Sequence, residues 1–305
     1  RVCPHPCEEA CRRQLVEEPI AIAELKAFAA DIDLFGDDRF IEEVPAPSGK
    51  QITVVGAGPA GLTAAYFLAL KGHSVEIIEA MPKGGGMLRY GIPQYRLPKE
   101  ILDLEIENIA RLGVTFRYNT RVGKDIDFAA LKDKSDAVYV AIGAWQSAAL
   151  RCKGEEAEGV LGGIDFLISV AQGEKPYLGK NVAVVGGGNT AMDACRTAIR
   201  LGAEKVYVLY RRTEKEMPAE ALEIKEAREE GVEFRFLVAP TEVLTENGRV
   251  SGIRLQKMEL GEADQSGRRR PVPIEGALED LTLDTIIAAI GQKVIADGIP
   301  VGLTD

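Results

Sequence analysis

An α/β fold is what this sequence of 305 residues predicts, and three observations predict it. First, an amphipathic or alanine-rich segment, a glycine and a short β-branched run follow one another four times along the chain. Second, two β-branched runs break into a glycine-rich turn that opens an alanine-rich stretch, at Gly56-Ala57-Gly58-Pro59-Ala60-Gly61 and at Gly186-Gly187-Gly188-Asn189-Thr190-Ala191. Third, two further apolar runs end alike, in Ala141-Ile142-Gly143 and Ala289-Ile290-Gly291. Helix, glycine and strand in repetition is the pattern of βαβ units.

Composition sets the bounds. The length suits two domains, at roughly 100–200 residues each. Hydrophobic residues at 46% and charged ones at 28% exclude general disorder. A net charge of −10 argues against a nucleic-acid partner, whose phosphates need clustered Lys and Arg. No apolar run approaches the roughly 20 residues that span a bilayer, so membrane insertion is not expected, and the cytoplasm is the default compartment. The opening at Arg1, directly before a cysteine cluster, suggests a piece of a longer parent.

Along the chain, residues 1–45 carry Cys3, Cys7 and Cys11, a helix expected from about Ala21 to Ala30, and polar turns. Pro45-Ala46-Pro47-Ser48-Gly49 then reads as a linker. The four helix-closing glycines are Gly72, Gly113, Gly202 and Gly231, where a residue without a Cβ suits the left-handed conformation. Pro98 fits a first helical turn, and Leu102, Ile106 and Ile109 recur at helical spacing to form one apolar face that Gly113 ends. Glu262 to Gly267 reads as an exposed hairpin loop between two strands.

The first glycine-rich turn follows the strand-like run Gln51–Val55. Gly56 makes the tight turn, Gly58 lets the backbone approach a pyrophosphate, and Gly61 permits close helix–strand packing. The helix N-terminus offers free N–H groups to phosphates. Glu79 ends the next strand, where a carboxylate binds ribose hydroxyls. Strand, glycines, helix and acid in order make this a Rossmann-type dinucleotide site.

The second turn repeats the arrangement after Asn181–Val185, with Ala191 taking the packing role of the last glycine. Its next strand ends in Tyr210-Arg211-Arg212, so arginines stand where the first site has an acid. Guanidinium binds a 2′-phosphate that a carboxylate would repel. The second site is therefore expected to take NADP(H), through Gly186, Gly188, Asn189, Thr190, Ala191, Arg211 and Arg212. The two Ala-Ile-Gly runs read as crossovers between an outer domain and an inserted one.

Together these motifs resemble the glutamate synthase small (β) subunit family, with its NADPH:ferredoxin oxidoreductase relatives and the N-terminal half of dihydropyrimidine dehydrogenase. The likeness rests on Gly84-Gly85-Gly86-Met87-Leu88-Arg89-Tyr90-Gly91-Ile92-Pro93, on Gly188 to Asp193, on Tyr210-Arg211-Arg212 with Met217-Pro218, and on Glu226 to Val232 and Gly267 to Arg270. The resemblance implies a flavoprotein oxidoreductase that transfers hydride between NADPH and FAD and passes electrons to iron–sulfur clusters or a partner subunit. It implies FAD contacts at Gly56, Gly58, Pro59, Ala60, Gly61, Glu79, Gly85, Gly86, Met87, Leu88, Arg89, Gly91, Ile92, Pro93, Arg96, Ala141, Gly143 and Gly291. It also implies 4Fe–4S clusters in the intact parent, for which Cys3, Cys7 and Cys11 are a partial ligand set, one short of the usual four. No catalytic side chain is expected, because the cofactors carry the chemistry.

The expected boundaries are a partial helical iron–sulfur segment at 1–45, a C-terminally incomplete FAD domain at 50–147 and 284–305, and an NADP(H) domain inserted at 148–283. His5 and His73 read as loop and surface residues, and Cys152 and Cys195 lack the spacing of a redox pair. Arg268, Arg269 and Arg270 read as a solvated loop, with docking of an acidic partner such as ferredoxin as the alternative. Two other functions are open: a docking subunit of a larger complex without independent turnover, and a nucleotide sensor.

Overall fold

A computed structural model of the chain describes residues 2–263 and 267–300. It divides into two units, one of residues 1–143 and 296–305 and the other of residues 144–295.

The first unit runs through α1 (Pro6–Glu9), α2 (Ile22–Leu34), β1 (Gln51–Val55), α3 (Pro59–Ala69), β2 (Ser74–Ile78), α4 (Met87–Tyr90), α5 (Lys99–Arg111), β3 (Thr115–Arg117), α6 (Phe128–Lys134) and β4 (Ala137–Val140). Its strands form a parallel sheet in the order β3-β2-β1-β4. The central strand β1 pairs Val54 with Ile77 on one side and with Tyr139 on the other. Ile52–Val55 is buried without interruption, as a strand covered on both faces is, and its residues are β-branched. Leu102 and Ile106 of α5 pack into the same core as Val54 and Ile77, as the helical spacing predicts.

The second unit contains β5 (Gln146–Ser147), β6 (Val160–Gly162), α7 (Gly163–Ala171), β7 (Asn181–Val185), α8 (Asn189–Arg200), β8 (Lys205–Tyr210), α9 (Ala221–Glu229), β9 (Glu233–Phe236), β10 (Val238–Glu246), β11 (Arg249–Ala263), β12 (Arg269–Thr282), β13 (Thr285–Ala288) and β14 (Gln292–Lys293). Five strands form a parallel sheet, β6-β13-β7-β8-β9, beside an antiparallel sheet β10-β11-β12 and the small pair β14-β5. Helix α8 is buried along most of its length, with Ala191, Met192, Ala194, Cys195 and Ala198 fully inside. The four helix-closing glycines all have positive φ, between 76° and 98°. Helix α2 runs to Leu34, beyond the expected Ala30.

One boundary differs from expectation. Thr285–Ala288 is not a strand of the outer domain: β13 lies between β6 and β7, pairing Ile286 with Val160 and Ala183. A short β-branched run such as Thr285-Ile286-Ile287-Ala288 reports burial on both faces of a parallel sheet, but not which sheet receives it. Asp284 is anchored in the second unit too, its carboxylate accepting from the Lys180 and Asn181 backbone N–H groups at 2.9 and 2.8 Å. The chain re-enters the first unit only near Ala296. There Ile299 packs with Val55, Ile78 and Phe128. Residues 301–305 of the expected FAD domain, and 264–266 of the expected loop, lie outside the described residues. Among the described residues, no helix is long and apolar enough to cross a membrane.

Candidate functional site

The two glycine-rich turns repeat one steric plan. A Cβ on Gly56 would stand 2.3 Å from the Ala141 carbonyl oxygen, and one on Gly186 would stand 2.2 Å from that of Ala289. Both residues have positive φ, 104° and 148°. Each turn is thus pressed against the end of the neighbouring strand, β4 or β13. This accounts for the shared Ala-Ile-Gly endings: Ala141 and Ala289 supply equivalent carbonyls. Gly58 and Gly188 are different. A Cβ there would meet nothing nearer than 3.8 or 3.9 Å, which leaves the open approach that a phosphate needs. A Cβ on Gly61 would fall 1.9 Å from the Gly56 carbonyl oxygen, so helix α3 seats directly on the turn.

Glu79 sits under the first turn and is buried. Its carboxylate accepts from the Ala57 and Met81 backbone N–H groups, each at 2.7 Å. Burial pushes its pKa up, and these backbone donors oppose the shift. A carboxylate has about four acceptor positions, so capacity is left for a ribose hydroxyl. The second segment expected at this site crosses the first turn: a Cβ on Gly86 would lie 2.7 Å from the Gly58 Cα, and Gly85 N–H donates to the Ala57 carbonyl at 2.7 Å. Pro59 and Ala60 are exposed at the start of α3. Gly84, Gly85, Gly86 and Gly91 are buried; Met87, Ile92, Pro93, Arg96 and Ala141 are half-buried, and Gly143 is exposed. The observed turn, acid and open Gly58 fit the adenosine-diphosphate half of FAD.

Three expected FAD residues have other surroundings. Arg89 is buried; its Nε donates to the Gly84 carbonyl at 2.5 Å and its guanidinium pairs with Asp103 of α5. It ties the glycine segment to α5, which a sequence motif alone does not reveal. Leu88 lines an apolar cavity of about 760 Å³ beside α2 and α5. Gly291 belongs to the second unit, where it lines the second cavity with Ala289 and Ile290. Lys99 was not anticipated: its Nζ donates to the Leu88 and Ile92 carbonyls at 2.8 and 2.6 Å, holding the same segment from the other side.

The second turn opens into a cavity of about 700 Å³ lined by Gly186, Gly187, Gly188 and Thr190. Asn189 begins α8 and holds the Glu220 N–H through its side-chain oxygen at 3.0 Å; Ala191 is buried. Arg151, Arg211, Arg212 and Arg268 also line the cavity, and no carboxylate does among the described residues. On a chain of net charge −10 this is a local concentration of positive charge. The two arginines of the motif are not equivalent. Arg211 is exposed, whereas Arg212 is buried and donates from Nε to the Arg269 carbonyl at 2.7 Å. Arg268 and Arg151 were missed as site residues, because both approach from segments remote in sequence from the turn. These features fit a phosphorylated dinucleotide.

Cys3, Cys7 and Cys11 lie near the start of the chain. Cys3 and Cys7 are exposed and Cys11 is half-buried. Among the described residues no three His, Cys, Asp or Glu side chains converge to hold a metal ion. Three thiols fall short of the four that usually hold one cluster, in keeping with a partial ligand set. The Cys11 thiol is held below its ordinary value by backbone N–H groups, Ile20 first and then Arg13. Burial in α8 pushes Cys195 up to about 12, which makes it inert packing rather than a redox partner.

Known proteins match this organisation. The pyridine nucleotide-disulphide oxidoreductase family matches residues 50–302. The chain is similar to the NADPH-Fe(3+) oxidoreductase subunit beta of Geobacter sulfurreducens, 47% identical over 98% of this chain and 46% of that protein. It is also similar to the glutamate synthase (NADPH) small chain of Escherichia coli, 36% identical over 96% of this chain and 65% of that one. It thus spans between about half and two thirds of these relatives. Among solved structures, Mycobacterium tuberculosis FprA in complex with NADPH superposes with a TM-score of 0.71 at 21% identity, over 81% of this chain and 71% of that one. The family match runs through both Rossmann-type units, and the chain belongs to the pyridine nucleotide-disulphide oxidoreductase family.

Proposed function

We propose that this chain is the flavin- and NADP(H)-binding part of an oxidoreductase that moves hydride between NADPH and FAD and delivers the electrons to a partner subunit. The observation that carries the reading is the reversal of charge between two turns of one geometry: Glu79 lies beneath the first, and Arg211 stands at the second. When bound, the two cofactors supply the redox chemistry, hydride passing from the nicotinamide to the flavin. The chain's own residues bind and orient. Gly58 and the exposed start of α3 receive the FAD pyrophosphate, and Glu79 takes its ribose hydroxyls. Arg89 and Lys99 hold the Gly84–Pro93 segment in place for the flavin side. Gly188 and the start of α8 receive the NADP(H) pyrophosphate, and Arg211 recognises its 2′-phosphate. No protein acid or base is needed.

The electron acceptor is a protein partner in this reading. Relatives named as beta subunits or small chains support it, as do the exposed Leu25, Phe28 and Ile32 on one face of α2. The iron–sulfur clusters that the family resemblance implies would belong to the longer parent, and a cytoplasmic location is part of the same proposal. The test is the absorbance spectrum of the purified full-length protein before and after anaerobic NADPH. Bleached flavin bands support the reading; a bound flavin indifferent to NADPH overturns it. Turnover only after addition of a copurifying subunit would instead favour a docking subunit without independent activity.

A further inference from the structure

One wall of the second cavity is formed by residues 148–151, far in sequence from the glycine-rich turn. The segment is anchored on both sides. Ala148 N–H donates to the Gly291 carbonyl at 2.9 Å. Lys153 is tied to β10, its carbonyl accepting from Val243 N–H at 2.8 Å and its Nζ pairing with Glu242 at 2.6 Å. Between these anchors Leu150 packs against the core that holds Val185, Leu209 and Val238. Arg151, the next residue, is exposed and lines the cavity. Its φ is 60°, a left-handed conformation that is costly for a residue with a Cβ. Glu155 holds it there, its carboxylate accepting from the Arg151 backbone N–H at 2.6 Å.

We infer that Arg151 is a phosphate-binding residue of the second cavity, a further cation beside Arg211 for the charge of a phosphorylated nucleotide. The inference rests on the reading that the second turn holds NADP(H). Of the four arginines that line the cavity, Arg212 donates to the Arg269 carbonyl and Arg268 also has a partner within the chain. Arg151 and Arg211 differ from them. Both are exposed, and among the described residues neither guanidinium forms a hydrogen bond or an ion pair. The carboxylate of Glu155 is turned to the Arg151 backbone, and no carboxylate lines the cavity among the described residues. A guanidinium with open donors on such a wall suits phosphate, which it meets with paired N–H groups. Glycine would adopt a φ of 60° without strain. An arginine held there by Glu155 gives the strain a use, because it starts the side chain from a fixed point at the cavity.

The experiment is isothermal titration of the full-length protein, with FAD in excess, against adenosine 2′,5′-bisphosphate and, separately, 5′-AMP, which lacks only the 2′-phosphate. Salt at about 0.3 M screens long-range attraction, so that the loss of a direct contact is what the titration reads. Arg151→Gly removes the cation and relieves the backbone, so its melting temperature should not fall. Arg151→Gln serves as a second variant that keeps a side chain. Both should weaken binding of the bisphosphate about tenfold or more, the loss typical of one charge-assisted contact. If 5′-AMP binding changes less than about twofold, the contact is to the 2′-phosphate; if it weakens equally, the contact is to the 5′-phosphate. Either result supports the assignment. Wild-type affinity for both probes in the two variants, with the bisphosphate weakened in Arg211→Gln, overturns the role of Arg151 and leaves the NADP(H) site standing. If the wild-type protein binds neither probe, the reading of the site itself fails.

Discussion

Replacing Gly61 by alanine isolates the steric logic of the first turn. The new Cβ would lie 1.9 Å from the Gly56 carbonyl oxygen and 3.1 Å from its carbonyl carbon. Ordinary contact begins near 3.4 Å, so helix α3 or the turn must shift by roughly 1.5 Å, and both are backbone with no flexible side chain to yield. Such overpacking costs about 1–3 kcal/mol, offset by at most about 1 kcal/mol from alanine's better helix propensity. The expected net loss is therefore about 1–2 kcal/mol, with displacement of the exposed N–H groups at the start of α3. The second turn supplies an internal control, because Ala191 occupies the corresponding position there and is fully buried. Ala191→Gly removes a methyl group and helix propensity, together about 2 kcal/mol, yet leaves its turn in place. Urea unfolding would give the two stability losses, and flavin content after gel filtration would separate them. Gly61→Ala should lose stability and flavin together, whereas Ala191→Gly should lose stability and keep both nucleotide sites. A Gly61→Ala protein with full stability and full flavin would refute the argument that the turn and α3 must touch.

Three other predictions follow from particular side chains. Glu230 pairs with Arg200 and Arg196, and these hold its carboxyl at about 2. Because the folded value lies below the unfolded one, its contribution is complete above about pH 4.5 and disappears as pH falls toward 2. Glu230→Gln should flatten the acid limb of the pH–stability curve in that window, and an unchanged limb would contradict the pairing. Arg89→Met should cost about 1–3 kcal/mol by leaving the buried Gly84 carbonyl without its donor, and should lower flavin retention; thermal melts with a flavin assay check both. Native alkylation with iodoacetamide near pH 8, read by mass spectrometry, should label Cys11 well before Cys195, since one thiol is eased toward its thiolate and the other is buried.

The glycine-rich turns, Glu79 and the arginine motif were legible because each is a local requirement: a turn too tight for a Cβ, a strand that ends beside it, a charge at that end. The helix from Lys99 to Arg111 was legible from Leu102 and Ile106 for the same reason. What lay beyond the sequence depends on long-range placement. Thr285–Ala288 and Ala137–Val140 are both short parallel strands that read alike in sequence, and only the hydrogen-bond register shows that the first joins β7. The family resemblance implied Arg89 as a cofactor contact, yet it is Asp103, fourteen residues on, that pairs with it. Arg268 read as one of three solvated arginines, since nothing local indicates that it lines the cavity of the second turn.

The central claim is that opposite charges at two equivalent turns assign FAD to one and NADP(H) to the other. Anaerobic stopped-flow reduction of the flavin in the full-length protein, with NADPH and then NADH, tests it most directly. Reduction by NADPH at least about tenfold faster than by NADH at limiting nucleotide, with the advantage lost in Arg211→Gln, is the predicted result. Equal rates with the two nucleotides in the wild-type protein would contradict it.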